Sequence, residues 1–477
     1  MKRNQFITYI SFVLFAVFLT QNFLVLTGCG NMIPPSGGPK DTLAPVLLKA
    51  TPPDSTLGFN NKTITFSFDE YVELQDVQKN VIVSPNPGIN PEFNYKLKTV
   101  TVKLNDSLKP NTTYSIDFGN SIQDINERNP LKNFTYIFST GNHLDSLSFS
   151  GNVKLAETGL TDSTLIVMLH KSSDDSALIN SKPDYITRLD GKGNFHFHFL
   201  PTGTFYVYAL KDDNRIGKYF SKEQLFAFAD YPVIISDSTP PLTLFAYATK
   251  NQEETNTAVQ VPKAPAKNET PRLKYSTSVK SGQQDLLDSF SVKFATPLKS
   301  LDDKKIILST DTSFTAVPNT TWYLDSSASI LTYKGSLKPD TRYNLVTEKD
   351  FATDTLGLQL LKTDTLSFRT KRPEDYGSVR IRIKNFDPGS HPVLIISQNN
   401  KIVKMASLAT AEFYQPLFLP GIYDLSILYD TNNNGKWDPG EFFGKHIQPE
   451  HVVPVKEKLS VKTGWDNEVE IEVSAAR

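Results

Sequence analysis

Along most of the chain, apolar residues alternate with polar ones. Ile64, Phe66 and Phe68 form one such series, and Val100, Val102 and Leu104 a second. Phe195, Phe197 and Phe199, then Leu331 and Tyr333, then Val469, Ile471 and Val473 continue it. In an extended strand successive side chains point to opposite faces, so this alternation places one face on a core and the other in water. Turn residues interrupt the runs about every ten residues, the spacing of a β-sandwich. Past the N-terminal apolar stretch no long segment keeps a 3.6-residue period, so the expected class is all-β.

The pattern also repeats. Ser107-Leu108-Lys109-Pro110-Asn111-Thr112-Thr113-Tyr114 recurs as Ser336-Leu337-Lys338-Pro339-Asp340-Thr341-Arg342-Tyr343, and Phe138-Ser139-Thr140 recurs as Phe368-Arg369-Thr370. A second kind of unit is duplicated too. Leu200-Pro201-Thr202-Gly203 leads into Phe205-Tyr206-Val207-Tyr208, and Leu419-Pro420-Gly421 leads into Ile422-Tyr423. Between the copies runs a polar, Pro/Ala/Lys-rich stretch without apolar period, read as a linker over 249–271. The expected layout is A-B-linker-A-B, with A units at 43–142 and 272–374 and B units at 143–248 and 375–477. Each unit has about 100 residues, an ordinary domain size.

The N-terminus reads differently. Lys2 and Arg3 precede an apolar run from Phe6 to about Val25, followed by Leu26-Thr27-Gly28-Cys29. Residues 1–28 have the features of a secretory signal with small residues at its cleavage point. The site resembles the bacterial lipobox, which implies that Cys29 carries lipid and becomes the mature N-terminus. Each buried lipid CH₂ contributes about 0.8 kcal/mol of membrane affinity, so several chains anchor stably. An uncleaved spanning anchor is the alternative, since the run approaches the ~20 residues needed to cross a bilayer. Residues 29–42, rich in Pro and Gly, read as a tether. Cys29 is the chain's one cysteine, so no disulfide framework forms within it.

Lys and Arg total 50 against 51 Asp and Glu, which leaves no global field to attract nucleic acid. No H-E-x-x-H, nucleophile-elbow or phosphate-loop motif occurs. Asp69-Glu70, as neighbours on a strand, would point to opposite faces and make a poor acid-base pair. The expectation is a protein without catalytic activity.

The sharpest chemical motif is Asp430-Thr431-Asn432-Asn433-Asn434-Gly435-Lys436-Trp437-Asp438-Pro439-Gly440-Glu441. It matches a calcium loop at every fixed position. Ca²⁺ takes six to eight oxygens, and alternate residues of a tightly wound loop aim theirs inward. Asp430, Asn432 and Asn434 would supply side-chain oxygens and Lys436 its carbonyl. Asp438 would bind directly or through water, and Glu441 would close the site. Pro439-Gly440 disfavours an exiting helix, so the expected context is a β-domain rather than a helix pair. A metal-free Asn/Gly turn is the alternative. The earlier copy, Asp212 to Glu223, keeps Asp212, Asn214, Gly217 and Glu223 but has Ile216 and Phe220 in place of two oxygen donors. It is expected to keep the loop's shape and to bind calcium poorly or not at all.

His196 and His198 share a strand face, either as a metal pair or as solvated side chains opposite the phenylalanines. Asp41-Thr42-Leu43, Asp106-Ser107-Leu108, Asp145-Ser146-Leu147 and Asp364-Thr365-Leu366 resemble O-glycosylation acceptors of Bacteroidetes envelope proteins. Asp-Ser and Asp-Thr pairs equally suit turns at strand ends.

The A units resemble bacterial Ig-like domains through Ile64-Thr65-Phe66-Ser67-Phe68-Asp69-Glu70, the Leu-Lys-Pro-x-Thr-x-Tyr motif and the strand Tyr136 to Thr140. The B units resemble prealbumin-like sandwiches of carboxypeptidase regulatory domains and collagen-adhesin repeats. The start, Gly28-Cys29-Gly30-Asn31 and then Pro34-Pro35-Ser36-Gly37-Gly38-Pro39, resembles Ig-like lipoproteins of Bacteroidetes. Together these imply the fold and the address of an outer-membrane lipoprotein, and the expected role is a scaffold or spacer. The alternative is a cell-surface module binding glycan or protein through an aromatic patch near Trp322-Tyr323 or Trp437. Residues after Cys29 lack an acidic run that would resemble a surface-export signal, which favours the periplasmic face.

Overall fold

The computed structural model describes residues 11–14, 16, 40–213, 216–249, 270–318 and 320–473. Cys29 and its tether to residue 39, linker residues 250–269 and Asn214 lie outside the described residues. No helix among the described residues is long and apolar enough to cross a membrane. The chain is all-β, with two kinds of sandwich that each occur twice.

In the first A unit, Thr63–Phe68 lies between Leu47–Thr51 and Thr99–Lys103, with Glu92–Lys96 beyond. Ile82–Ser84, Thr113–Asp117 and Thr135–Ser139 form the facing sheet. Alternation explains the core: Ile64, Phe66, Phe68, Val100 and Val102 turn inward and are buried against Tyr136 and Phe138. The later A unit repeats this order, with Ser291–Phe294 between Tyr275–Thr277 and Ile330–Tyr333, and Arg342–Thr347 between Ile306–Ser309 and Asp364–Thr370. Asp69 and Glu70 fall beyond the end of their strand, and Asp69 accepts the Val46 N–H instead, so the opposite-face reading does not apply to them.

The Leu-Lys-Pro motif is repeated bond for bond. Tyr114 Oη accepts the Lys109 N–H at 2.8 Å, and Tyr343 Oη accepts the Lys338 N–H at 2.9 Å. Thr140 Oγ1 donates to the Lys109 carbonyl and accepts from the Thr112 N–H, as Thr370 does with Lys338 and Thr341. Asn111 and Asp340, the one residue type changed within the turn, both hold a left-handed backbone, φ 49° and 48°. Each tyrosine then stacks on a phenylalanine of the next strand, Phe138 or Phe368. The motif is therefore a tyrosine corner that ties a turn to the sandwich edge.

In the first B unit, Leu147–Leu155 pairs antiparallel with Asn194–Leu200 and parallel with Leu242–Ala246. In the second, Gly377–Lys384 pairs antiparallel with Glu412–Phe418 and parallel with Asp466–Glu472. The opposing sheet centres on Leu165–His170 and Gly203–Lys211 in one copy and on Pro392–Gln398 and Gly421–Tyr429 in the other. Phe195 and Phe197 are buried, but Phe199 is not the next core residue. A bulge puts it at φ 57°, half-buried, and Leu200 takes the inward position. One extra residue in a bulge shifts the side-chain phase by one, which strict alternation misses. The same register shift occurs in the second copy, between Gly377 and Val379.

Candidate metal loop and interdomain contact

The loop Asp430–Glu441 joins Gly421–Tyr429 to the segment leading into His451–Val461. Asp430 is fully buried, and its oxygens accept the N–H groups of Asn434 at 3.2 Å and Gly435 at 2.6 Å. Gly435 sits at φ 74°, a conformation glycine adopts without strain. Asn432 Oδ1 accepts the Asn434 N–H and Asn434 Oδ1 the Lys436 N–H, which winds the loop in successive side-chain turns. The amides of Asn432 and Asn434 both donate to one oxygen of Asp438, each at 2.6 Å. Three oxygen-bearing side chains thus meet at one point. A half-turn of either amide would aim Oδ1 at that carboxylate, an arrangement that is repulsive alone and favourable around a cation.

Glu441 stands apart from this point. Its carboxylate pairs with Lys445 Nζ at 2.7 Å, which holds its pKa below the ordinary range, and its backbone pairs with Ile447. The carboxylate that closes the loop is Glu450. It is buried, with one oxygen accepting the Thr431 N–H and hydroxyl and the other the Asp438 N–H. Glu450 lies outside the twelve-residue pattern, so no motif points to it. Among the described residues, no three His, Cys, Asp or Glu side chains gather in metal-holding geometry. The loop instead offers two carboxylates, Asp430 and Asp438, supplemented by amides. Asn432, Asn434 and Asp438 converge, Asp430 anchors the loop through backbone N–H groups, and Glu441 is held by Lys445.

Among its described residues the first copy repeats the anchoring bonds. Asp212 accepts the N–H groups of Ile216 and Gly217, the same offsets as at Asp430, and Gly217 has φ 65°. Ile216 and Phe220 are exposed.

Beyond Asp438 the chain does something the motif does not foretell. Phe442 enters the outer face of the first B unit, where it is 5% exposed. Its ring lies 4.9 Å from Phe228, 5.3 Å from Phe226 and 5.7 Å from Tyr208. Tyr247, Met168 and Leu210 complete the cluster, and Trp437 and Tyr219, the matching aromatic of each loop, border it. Polar contacts frame the apolar centre: His446 with Asp175 at 2.8 Å, Gln448 donating to the Phe228 carbonyl, and Val452 N–H to Ala156. A Cβ on Gly159 would collide with Pro454 and the Val452 carbonyl, so the backbones approach closely. The two B units, separated in sequence by the linker and an A unit, are therefore packed together. Trp437, whose Nε1 donates to the Glu450 carbonyl, joins the metal-type loop to this contact.

The remaining candidates lie elsewhere. Trp322 is half-buried between Phe290 and Tyr333, and Tyr323 is exposed under Lys334. Trp465, exposed beneath Lys462, escaped the sequence reading. His196 and His198 are solvent-facing and stacked 4.1 Å apart. Asp41, Asp106 and Asp364 accept nearby backbone N–H groups, the turn role open to them.

Residues 41–140 match the family described as bacterial Ig-like domain. No curated protein matches the chain. The Bacillus anthracis TIE protein is 11% identical over 92% of this chain and 76% of its own, with a TM-score of 0.17. BcpA, the major pilin subunit of Bacillus cereus, is 12% identical over 69% of this chain and 100% of its own, at 0.16. LD transpeptidase LdtMt1 is 16% identical over 43% of this chain and 91% of its own, at 0.17. At such scores none of the three informs function. An Ig-like unit and its structural repeat fit a non-catalytic surface or scaffold protein.

Proposed function

We propose that the chain is a non-catalytic envelope scaffold, a lipoprotein held to the outer membrane by lipid on Cys29. The single observation that carries this is the Phe442 contact between the two B units. A simple spacer would string its domains out. Burying an aromatic side chain and three polar contacts between non-adjacent domains instead sets a fixed, folded-back arrangement suited to holding partners at a defined spacing. The partners would be an envelope protein or a glycan, with no role for nucleic acid.

Calcium fits this reading as a stiffener. Asp430, Asn432, Asn434 and Asp438 would hold it, with the Lys436 carbonyl, and the cation would neutralise the Asp438 carboxylate on which the two amides converge. Three residues separate Asp438 from Phe442, so a loop tightened by metal also fixes the plug. The start of the mature chain resembles Ig-like lipoproteins of Bacteroidetes, and the periplasmic face is favoured. Protease treatment of intact cells carrying a C-terminally tagged protein tests the placement. Protection of the tag until the outer membrane is opened is expected, and digestion on intact cells would move the protein to the surface.

A further inference from the structure

Between the first A unit and the first B unit lies a cleft of about 1130 Å³. Its B wall is the outer face of the sheet whose inner face carries Phe149, Phe195 and Phe197. Ser150 and Asn152 on one strand face His196 and Asn194 on the next. Its A wall brings Asp117, Asn120 and Asn133. The walls are fixed to each other: Asn86 N–H donates to the Asp184 carbonyl, Lys182 to Gly88, Arg188 to Asn80, and Asp145 N–H to Thr113. The cleft is thus preformed, and clefts between domains are where ligands most often bind.

The second B unit serves as an internal control. At the positions of Ser150, Asn152 and Asn194 it has Arg380, Arg382 and Glu412. There the outer face is closed by cross-strand ion pairs, Arg380 with Glu412 and Glu468, and Arg382 with Glu468. In the first copy Ser150, Asn152 and Asn194 are uncharged and make no such ion pairs, the Asn194 amide donating instead to Asp190. Asn152 Oδ1 is buried and accepts no hydrogen bond from the protein, a costly state. The charged side chains of the lining are Asp117, Asp190 and Arg188; Arg188 is turned to the Asn80 carbonyl, and the two carboxylates outnumber it and disfavour an anion.

We infer that this cleft binds a neutral oligosaccharide, its vicinal hydroxyls paired by the amides of Asn120, Asn133 and Asn152. Such planar groups offer a donor and an acceptor side by side, which matches neighbouring hydroxyls. The site is independent of the Phe442 contact, so either can fail without the other.

Saturation-transfer NMR on the full-length soluble chain, lacking Cys29 acylation, tests this with chitotriose, cellotriose, maltotriose and mannotriose, and with a sialylated trisaccharide as the acidic probe. At least one neutral sugar is expected to bind and the acidic one to be rejected. Ser150→Arg with Asn152→Arg, which installs the second copy's residues, is expected to weaken binding about tenfold or more at an unchanged melting temperature. Asn120→Ala, on the opposite wall, is expected to weaken it without touching the B fold. The inference is overturned if none of the four neutral sugars binds, if the acidic sugar alone binds, or if both variants bind as the parent does.

Discussion

Truncating Phe442 separates the contact between the B units from the folding of either unit. The ring is 5% exposed and touches Phe226, Phe228 and Tyr208 across the interface, with His446 stacked on it at 4.7 Å. Phe442→Ala removes that burial and leaves a cavity in the outer face of the first B unit, a change that costs about 3–5 kcal/mol at such sites. That lowers the docking equilibrium by a factor of about 10²–10⁴. What remains is three polar contacts, each contributing about 1 kcal/mol, the flanking ring contacts of Phe443 with Tyr219 and His451 with Phe245, and the tether through the linker. The variant is therefore expected to open and close, with both sandwiches intact, since their own cores contain no part of this ring. Energy transfer between dyes on Lys192→Cys and Lys456→Cys in a chain lacking Cys29 reads the separation. A single high-transfer population in the parent and a broad, low-transfer one in the variant are expected. Identical transfer and identical urea midpoints in both would refute the idea that Phe442 holds the units together.

Other outcomes follow from the same geometry. With affinity near 10⁻⁴–10⁻³ M, about 10 mM Ca²⁺ is expected to stabilise the chain by about 1.4–2.7 kcal/mol in urea unfolding. Asp438→Ala would abolish that response and Asp212→Ala would leave it unchanged; a parent chain indifferent to Ca²⁺ would end the metal reading. Tyr114→Phe and Tyr343→Phe each delete the same turn bond and are expected to cost about 1 kcal/mol apiece, measured by denaturant midpoint in the two A units. His451 stacks on Phe245 and Tyr429, and burial, then Lys154, lower its pKa. Because the folded value lies below the unfolded one near 6.5, its stability is present above about pH 6.5 and lost as pH falls below it. His451→Phe is expected to flatten that slope, and an unchanged slope would place the acid sensitivity elsewhere.

Much of the architecture is legible in the sequence because sandwich cores are written in alternation and tight turns in a few residue types. Ile64-Thr65-Phe66-Ser67-Phe68 gives its strand and its buried face directly, and the repeated Leu-Lys-Pro motif encodes a turn whose hydrogen bonds recur in both copies. Phe199 misleads because a bulge is decided by the pairing partner, not by the local run. The calcium-type loop is legible as a winding of Asp, Asn and Gly. Glu450 is invisible because it reaches the loop from twelve residues beyond Asp438. Phe442 is hidden for a similar reason. An aromatic pair after a loop looks like ordinary core, and only the tertiary fold shows that its partner surface belongs to another domain. The amides of Asn120 and Asn152 carry no motif, since their meeting depends on how two units dock.

The most direct test of the scaffold account is a crosslink in the living envelope. Asp175 and His446 touch across the two B units at 2.8 Å, and Cys29 is the chain's only native cysteine. A full-length protein carrying Asp175→Cys and His446→Cys, treated in cells with a short bis-maleimide, is predicted to shift as one internally linked species. A control pairing Asp175→Cys with the distant Lys404→Cys should not shift. Absence of the link in the first protein, with both thiols shown to be reactive, would mean that the B units stand apart and would contradict the folded-back scaffold.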